Sequence, residues 1–110
     1  MKKLLLCFGL LVSGSALAQT AEVSYWVDGV CGMCEKRIES ALLNTSGVRF
    51  ADWSKENHMV KVAFNPKKLS EQKLHEIVAA AGHDTQKVKA NDEAYAKVHS
   101  CCKYRELHAH

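Results

Sequence analysis

Long apolar runs are scarce in these 110 residues. The longest, Leu4 to Val12, falls short of the ~20 apolar residues that a membrane-crossing helix needs. A strong excess of one charge is also missing: 15 basic side chains face 12 acidic ones, which is no footprint for nucleic acid or an anionic surface. There is no internal repeat and no low-complexity tract, and Pro66 is the only proline. Nothing in the chain forms a nucleophile–base–orienting set, a carboxylate pair or a Gly-rich phosphate loop, so chemistry on a substrate is not expected.

The apolar run that does exist follows Lys2 and Lys3 and leads into Ala16-Leu17-Ala18. A basic start, a short apolar stretch and an A-x-A end make a secretion signal. The expectation is therefore a leader over residues 1–18, cleavage before Gln19, and a product delivered across the inner membrane to the periplasm. The remaining 92 residues make one small domain. Loss of two lysines brings the net charge down to +1, and no membrane insertion is expected after the leader is gone.

Alternation of Val23, Tyr25 and Val27 with Ser24 and Trp26 predicts a half-buried strand. Asp28-Gly29 breaks it, and a helix follows with Cys34, Ile38, Ala41 and Leu42 on one stripe. Val48, Phe50 and Asp52 begin a second strand, and Val60, Val62 and Phe64 alternate along a third, with a hairpin turn over Ser54 to Asn57. Ser70 is a candidate cap for a second helix carrying Leu74, Ile77, Val78 and Ala81, with Gly82 as its stop. A fourth strand over roughly Asp84 to Val88 completes β-α-β-β-α-β: a ferredoxin-like α+β fold, two helices on one face of a four-stranded antiparallel sheet. This core is expected over 19–89, with a Cys/His-containing extension over 90–110.

Cys31 and Cys34 fall between the first strand and the first helix. Cysteine acts as ligand or nucleophile only as thiolate, and a helix N-terminus favours that anion. Two thiolates aimed at one point suit soft ions of low coordination number, Cu(I) first, Hg(II) by the same softness, whereas Zn(II) normally takes four ligands. The plainer alternative is packing, since free cysteine behaves as a small hydrophobe; Cys34 is on the buried stripe, but Cys31 follows a turn.

The segment from Glu22 to Lys89 resembles the heavy-metal-associated domain family of copper chaperones, the periplasmic mercury-binding protein and the N-terminal modules of metal-exporting ATPases. Cys31 and Cys34 match the family's GMTCxxC metal loop, Ile38 and Leu42 its packed helix positions, and Ala81-Gly82-His83-Asp84 its A-G-Y-D loop. The resemblance implies metal binding by Cys31 and Cys34, and His83 at a position beside the metal loop, as a third ligand, as a residue that tunes the site's charge, or as a surface histidine. Two positions depart from the pattern. Gly29 stands where the family has a methionine tucked under the loop, and Val30 where it has threonine.

Beyond Lys89, Asn91 could cap a short helix, and Cys101-Cys102-Lys103-Tyr104 follows, a CCxY that resembles extensions of small exported metal-binding proteins. A bond between Cys101 and Cys102 would be strained, because neighbouring Cα atoms ~3.8 Å apart lie below the disulfide range. A full fourth strand would carry the chain away from the metal loop. The twelve steps from Lys89 to Cys101 reach ~40 Å extended or ~18 Å as helix, enough to return. Cys101 and Cys102 could then join Cys31 and Cys34 in a composite thiolate site suited to Zn(II), Cd(II) or a Cu(I) cluster; otherwise they are thiols of a flexible tail. His99 is a further ligand candidate, the His108/His110 pair a frayed terminus, His58 and His75 surface residues, and Trp26 and Trp53 partly exposed.

The expected function is an exported carrier that holds Cu(I), Hg(II) or a Zn(II)-like ion and passes it by ligand exchange to a metal-transporting membrane protein or another acceptor, as a monomer or a metal-bridged dimer. The alternative is a periplasmic thiol-disulfide oxidoreductase using Cys31-Gly32-Met33-Cys34. Against it, thioredoxin-like proteins place a cis-proline beside such a motif, whereas Pro66 follows the third strand.

Overall fold

The computed structural model describes residues 20–98 and 102–107. The expected leader, Cys101, His99, His108 and His110 lie outside the described residues. The elements run β1 (Ala21–Trp26), α1 (Gly32–Leu43), β2 (Val48–Trp53), β3 (Met59–Phe64), α2 (Glu71–Ala80), α3 (Asp92–Ala96) and α4 (Tyr104–Leu107). The sheet is antiparallel in the order β1-β3-β2, and α1 and α2 pack against each other, with α1 also against β2. Helix α1 forms because Cys34, Ile38 and Leu42 recur every fourth residue and all three are fully buried, each larger side chain contributing ~1.5–3 kcal/mol. Helix α2 starts where expected, with the Ser70 hydroxyl accepting from the Lys73 N–H at 3.1 Å.

The register of β2 differs from the simple alternation. A bulge between Val48 and Phe50 adds one residue relative to β3, and a one-residue slip exchanges the two faces of a strand. Ala51 and Trp53 therefore enter the core, and Phe50 is exposed. Trp53, expected to be partly exposed, is 1% exposed and donates its indole N–H to the Val27 carbonyl at 3.0 Å. His75 was expected on the surface but is fully buried, stacked on Tyr25 at 3.9 Å and bonded through Nδ1 to the Thr85 hydroxyl at 2.7 Å.

The fourth strand is cut short. Thr85 bridges Val27, the Asp28 N–H donates to the Asp84 carbonyl at 2.8 Å, and the Gln86 N–H donates to the Trp26 carbonyl at 3.1 Å. Then the Thr85 hydroxyl accepts from the N–H groups of Lys87 and Val88, closing the chain into a turn instead of a ladder. The chain consequently does not travel to the far end of the sheet. The Ala90 N–H returns to the Asp84 carboxylate at 2.8 Å, so the extension begins beside the metal loop. Nor does it lie outside the core: Val98 and Cys102 belong to the main apolar cluster, and Tyr104 is fully buried.

Candidate metal centre

Cys31 occupies the N-cap position of α1 in extended backbone, with no side-chain cap bond, and Cys34 lies on the first turn. The orphan N–H groups of a helix start and its dipole both favour thiolate there. Cys31 is partly exposed and lines an open surface concavity with Gly32, Met33, Glu35 and Lys36, whereas Cys34 is fully buried. The loop needs a floor, and Trp53 supplies it. A Cβ built on Gly29 would stand 3.0 Å from Trp53 Cζ2 and 3.2 Å from Cys34 Cβ. The indole thus fills the space under the loop, and glycine at 29 admits it.

The described cysteines converge. The sulfurs of Cys31, Cys34 and Cys102 all lie within 4.8 Å of one another. Cys102 is fully buried, brought there by the fold-back after Thr85. His83 does not join this cluster. It is fully buried rather than on the surface, its Nδ1 lies 2.8 Å from the Asp28 carbonyl, and its ring stacks on Tyr104 at 5.3 Å. A carbonyl only accepts, so Nδ1 carries the proton. Burial holds the His83 pKa below the usual range, with the Arg37 charge adding to that against the Asp28 bond, and the ring is neutral at pH 7.

The tail is clamped by individual polar contacts. The Tyr104 hydroxyl donates to the Gly82 carbonyl and accepts from the Asp84 N–H at 3.0 Å. Arg105 grips the Asp84 carboxylate through Nη2 at 2.8 Å and Nε at 3.3 Å. Burial alone would raise the Asp84 pKa, but bonds from Arg105 and the Ala90 N–H, with the Arg105 charge, carry it below the usual carboxylate value. Gly82 has φ +107°, and a Cβ there would come within 2.6 Å of Val98 Cγ1 and 2.8 Å of the Ala94 carbonyl oxygen. Only glycine suits that backbone and lets the Asp92–Ala96 helix approach so closely. Tyr104, Arg105 and Trp53 escaped sequence reasoning as site-building residues; the one available hint was Tyr104 in the CCxY string.

An antiparallel sheet with two packed helices and a cysteine pair at the β1–α1 junction defines a ferredoxin-like metal-binding module. The heavy-metal-associated domain model matches residues 16–84, and the chain belongs to that family. Copper chaperone CopZ of Staphylococcus aureus is 36% identical over 59 residues, 53% of this chain and 87% of that protein. Among solved structures, a CopZ metallochaperone aligns with TM-score 0.57 at 32% identity, covering 59% of this chain and 98% of its own. Oxidized MerP from Ralstonia metallidurans CH34 aligns with TM-score 0.58 at 31% identity, covering 61% and 94%. The kinship is with non-enzymatic metallochaperones, and the cysteine site can coordinate a soft ion of the Cu(I) or Hg(II) type. The matched family segment ends at Asp84, before the tail that carries Cys102.

Proposed function

We propose that this chain is an exported carrier that takes up a soft metal ion on Cys31 and Cys34 and hands it to an acceptor by ligand exchange, with Cu(I) the first candidate and Hg(II) or a Zn(II)-like ion next. The observation that carries the reading is the asymmetry of the pair: one thiol buried, one opening on a surface concavity. A buried sulfur holds the ion while an incoming thiolate attacks from the Cys31 side. The acceptor proposed is a metal-transporting membrane protein, in keeping with the 31% identity to the N-terminal domain of a potential copper-translocating P-type ATPase from Bacillus subtilis. Export rests on the leader over residues 1–18, and the carrier works as a monomer or a metal-bridged dimer.

The oxidoreductase alternative has lost ground. Ala21 pairs with Phe64 and Trp26 with Met59, so Pro66 lies at the end of the sheet opposite the cysteine loop. The test is anaerobic native mass spectrometry of the reduced full chain titrated with Cu(I), Hg(II) and Zn(II). One tightly held soft ion per chain is expected, lost in Cys31→Ala/Cys34→Ala. Absence of tight binding in the native chain would end the carrier reading. Export is checked by the intact mass of protein recovered from a periplasmic fraction, expected to begin at Gln19.

A further inference from the structure

Cys102 is harder to account for than Cys31 or Cys34. It lies outside the matched family segment, yet its sulfur is within 4.8 Å of both others. Three sulfurs around a trigonal ion with bonds of about 2.3 Å stand about 4.0 Å apart, a spacing inside that limit. We propose that Cys102 is a third thiolate ligand, turning the Cys31/Cys34 pair into a trigonal three-sulfur centre that favours divalent soft ions. The proposal rests on the carrier reading and deepens it.

Two features of the fold hold Cys102 in place. Tyr104, two residues on, ties the tail to Gly82 and Asp84, and its ring stacks on His83, whose Nδ1–H donates to the Asp28 carbonyl just before the metal loop. Arg105 adds the grip on Asp84. Metal loop, His83, Tyr104 and Cys102 are thus linked through short fixed contacts, and His83 is a positioning residue, not a ligand.

Charge decides which ion gains. Two thiolates around a monovalent ion leave one negative charge; three around the same ion leave two, and three around a divalent ion leave one. With Cys34 and Cys102 both fully buried, each uncompensated charge is costly. The third sulfur therefore adds more to the binding of a divalent soft ion than to that of Cu(I). In the competing account Cys102 only fills core space, and its removal would alter stability and leave coordination alone.

The experiment loads the reduced full chain with Cd(II) and, separately, Cu(I), and compares it with Cys102→Ala, Cys102→Ser and Cys101→Ala. X-ray absorption counts sulfurs around Cd(II), and chelator competition reads affinity. Three protein sulfurs are expected in the native chain and in Cys101→Ala, and two in both Cys102 variants. Cd(II) affinity should fall more than ~100-fold in the Cys102 variants, beyond the 10–100-fold typical of an outer-shell partner, and Cu(I) affinity by less. An unchanged sulfur count in both Cys102 variants, or loss of a sulfur only in Cys101→Ala, would overturn the proposal while leaving the two-thiolate carrier intact. A native chain that binds neither ion would remove the carrier reading as well.

Discussion

The two parts that meet at the thiols are held by different physics. The body through Asp84 stands on burial: Tyr25, Ile38, Leu42, Trp53, Val60, Val62, Leu74 and Val78 form a continuous apolar cluster between sheet and helices. Among its described residues the tail brings Val98 and Cys102 into that cluster, with Tyr95 packed against it, and is fastened by Tyr104 and Arg105 to Gly82 and Asp84. Many small, interchangeable contributions hold the first; a few directional bonds hold the second. Damage to the body should be graded, whereas damage to the tail should be nearly all-or-none at its anchors.

The sharpest way to break this contrast is at the metal. Cys34→Ala removes a fully buried sulfur from the helix start, and tight binding of Cu(I) should be abolished, with a loss above ~100-fold, read by competition with a colorimetric Cu(I) chelator. Tail variants that keep Cys31 and Cys34 should retain measurable Cu(I) binding. Equal losses in both would mean that the tail is as necessary to the site as the loop.

Gly82→Ala comes next and strikes the seam between the two parts. The substitution forces an L-residue into φ +107° and drives Cβ toward the Ala94 carbonyl and Val98. Left-handed strain and overpacking each cost ~1–3 kcal/mol. The expected result is a lower urea midpoint together with faster alkylation of the buried Cys102 thiol, followed by mass spectrometry. A stability loss with Cys102 still protected would show that the tail follows the body instead of parting from it.

The body was the legible part. Period-2 and period-4 apolar spacing located β1, α1, β3 and α2, because burial of a whole face is written into every second or fourth residue. What failed depended on single residues. One extra residue in β2 reversed its faces and sent Trp53 inward. One hydroxyl, that of Thr85, bent the expected fourth strand into a turn and gave buried His75 its partner. That turn returned the chain to the metal loop, which placed Cys102 beside Cys31 and Cys34 by a route shorter than the one expected. His83 matched its loop position by resemblance, but its role as a bridge between Asp28 and Tyr104 needed coordinates.

Tyr104→Phe tests the anchors more gently. The ring and its stack on His83 survive, but the Gly82 carbonyl and the Asp84 N–H lose their buried partner. The cost of unsatisfied polar groups is ~1–3 kcal/mol. Chemical denaturation should report a loss in that range, with Cys102 alkylation accelerated and the Cys31 rate unchanged. A protected Cys102 would show that Arg105 and Val98 suffice to hold the tail.

The smallest effect separates the two parts by pH. His75 is buried in the body, and burial holds its pKa below the ordinary ~6.5, with Glu71 opposing and Lys87 assisting. A lowered histidine pKa means that the unfolded chain binds the proton more readily than the folded one. Stability is therefore complete above about pH 6.5 and declines as pH falls toward the folded pKa. His83, also lowered, acts with the same sign. The tail anchor behaves differently. The Asp84 pKa lies below its ordinary ~3.9, so the Asp84–Arg105 contribution is complete above about pH 4 and disappears only as pH drops through the folded pKa. Acidification from pH 7 to pH 5 should thus lower global stability through the histidines while the tail remains clasped. Thermal melts across that range, paired with hydrogen exchange at Ala90 and Asp84, whose amides bond to the Asp84 carboxylate and the Tyr104 hydroxyl, separate the two responses. The share of the pH-dependent loss that disappears in His75→Gln is assigned to the body, and the remainder to His83. Tail amides that lose protection before the melting temperature moves would reverse the comparison and make the tail the acid-sensitive part.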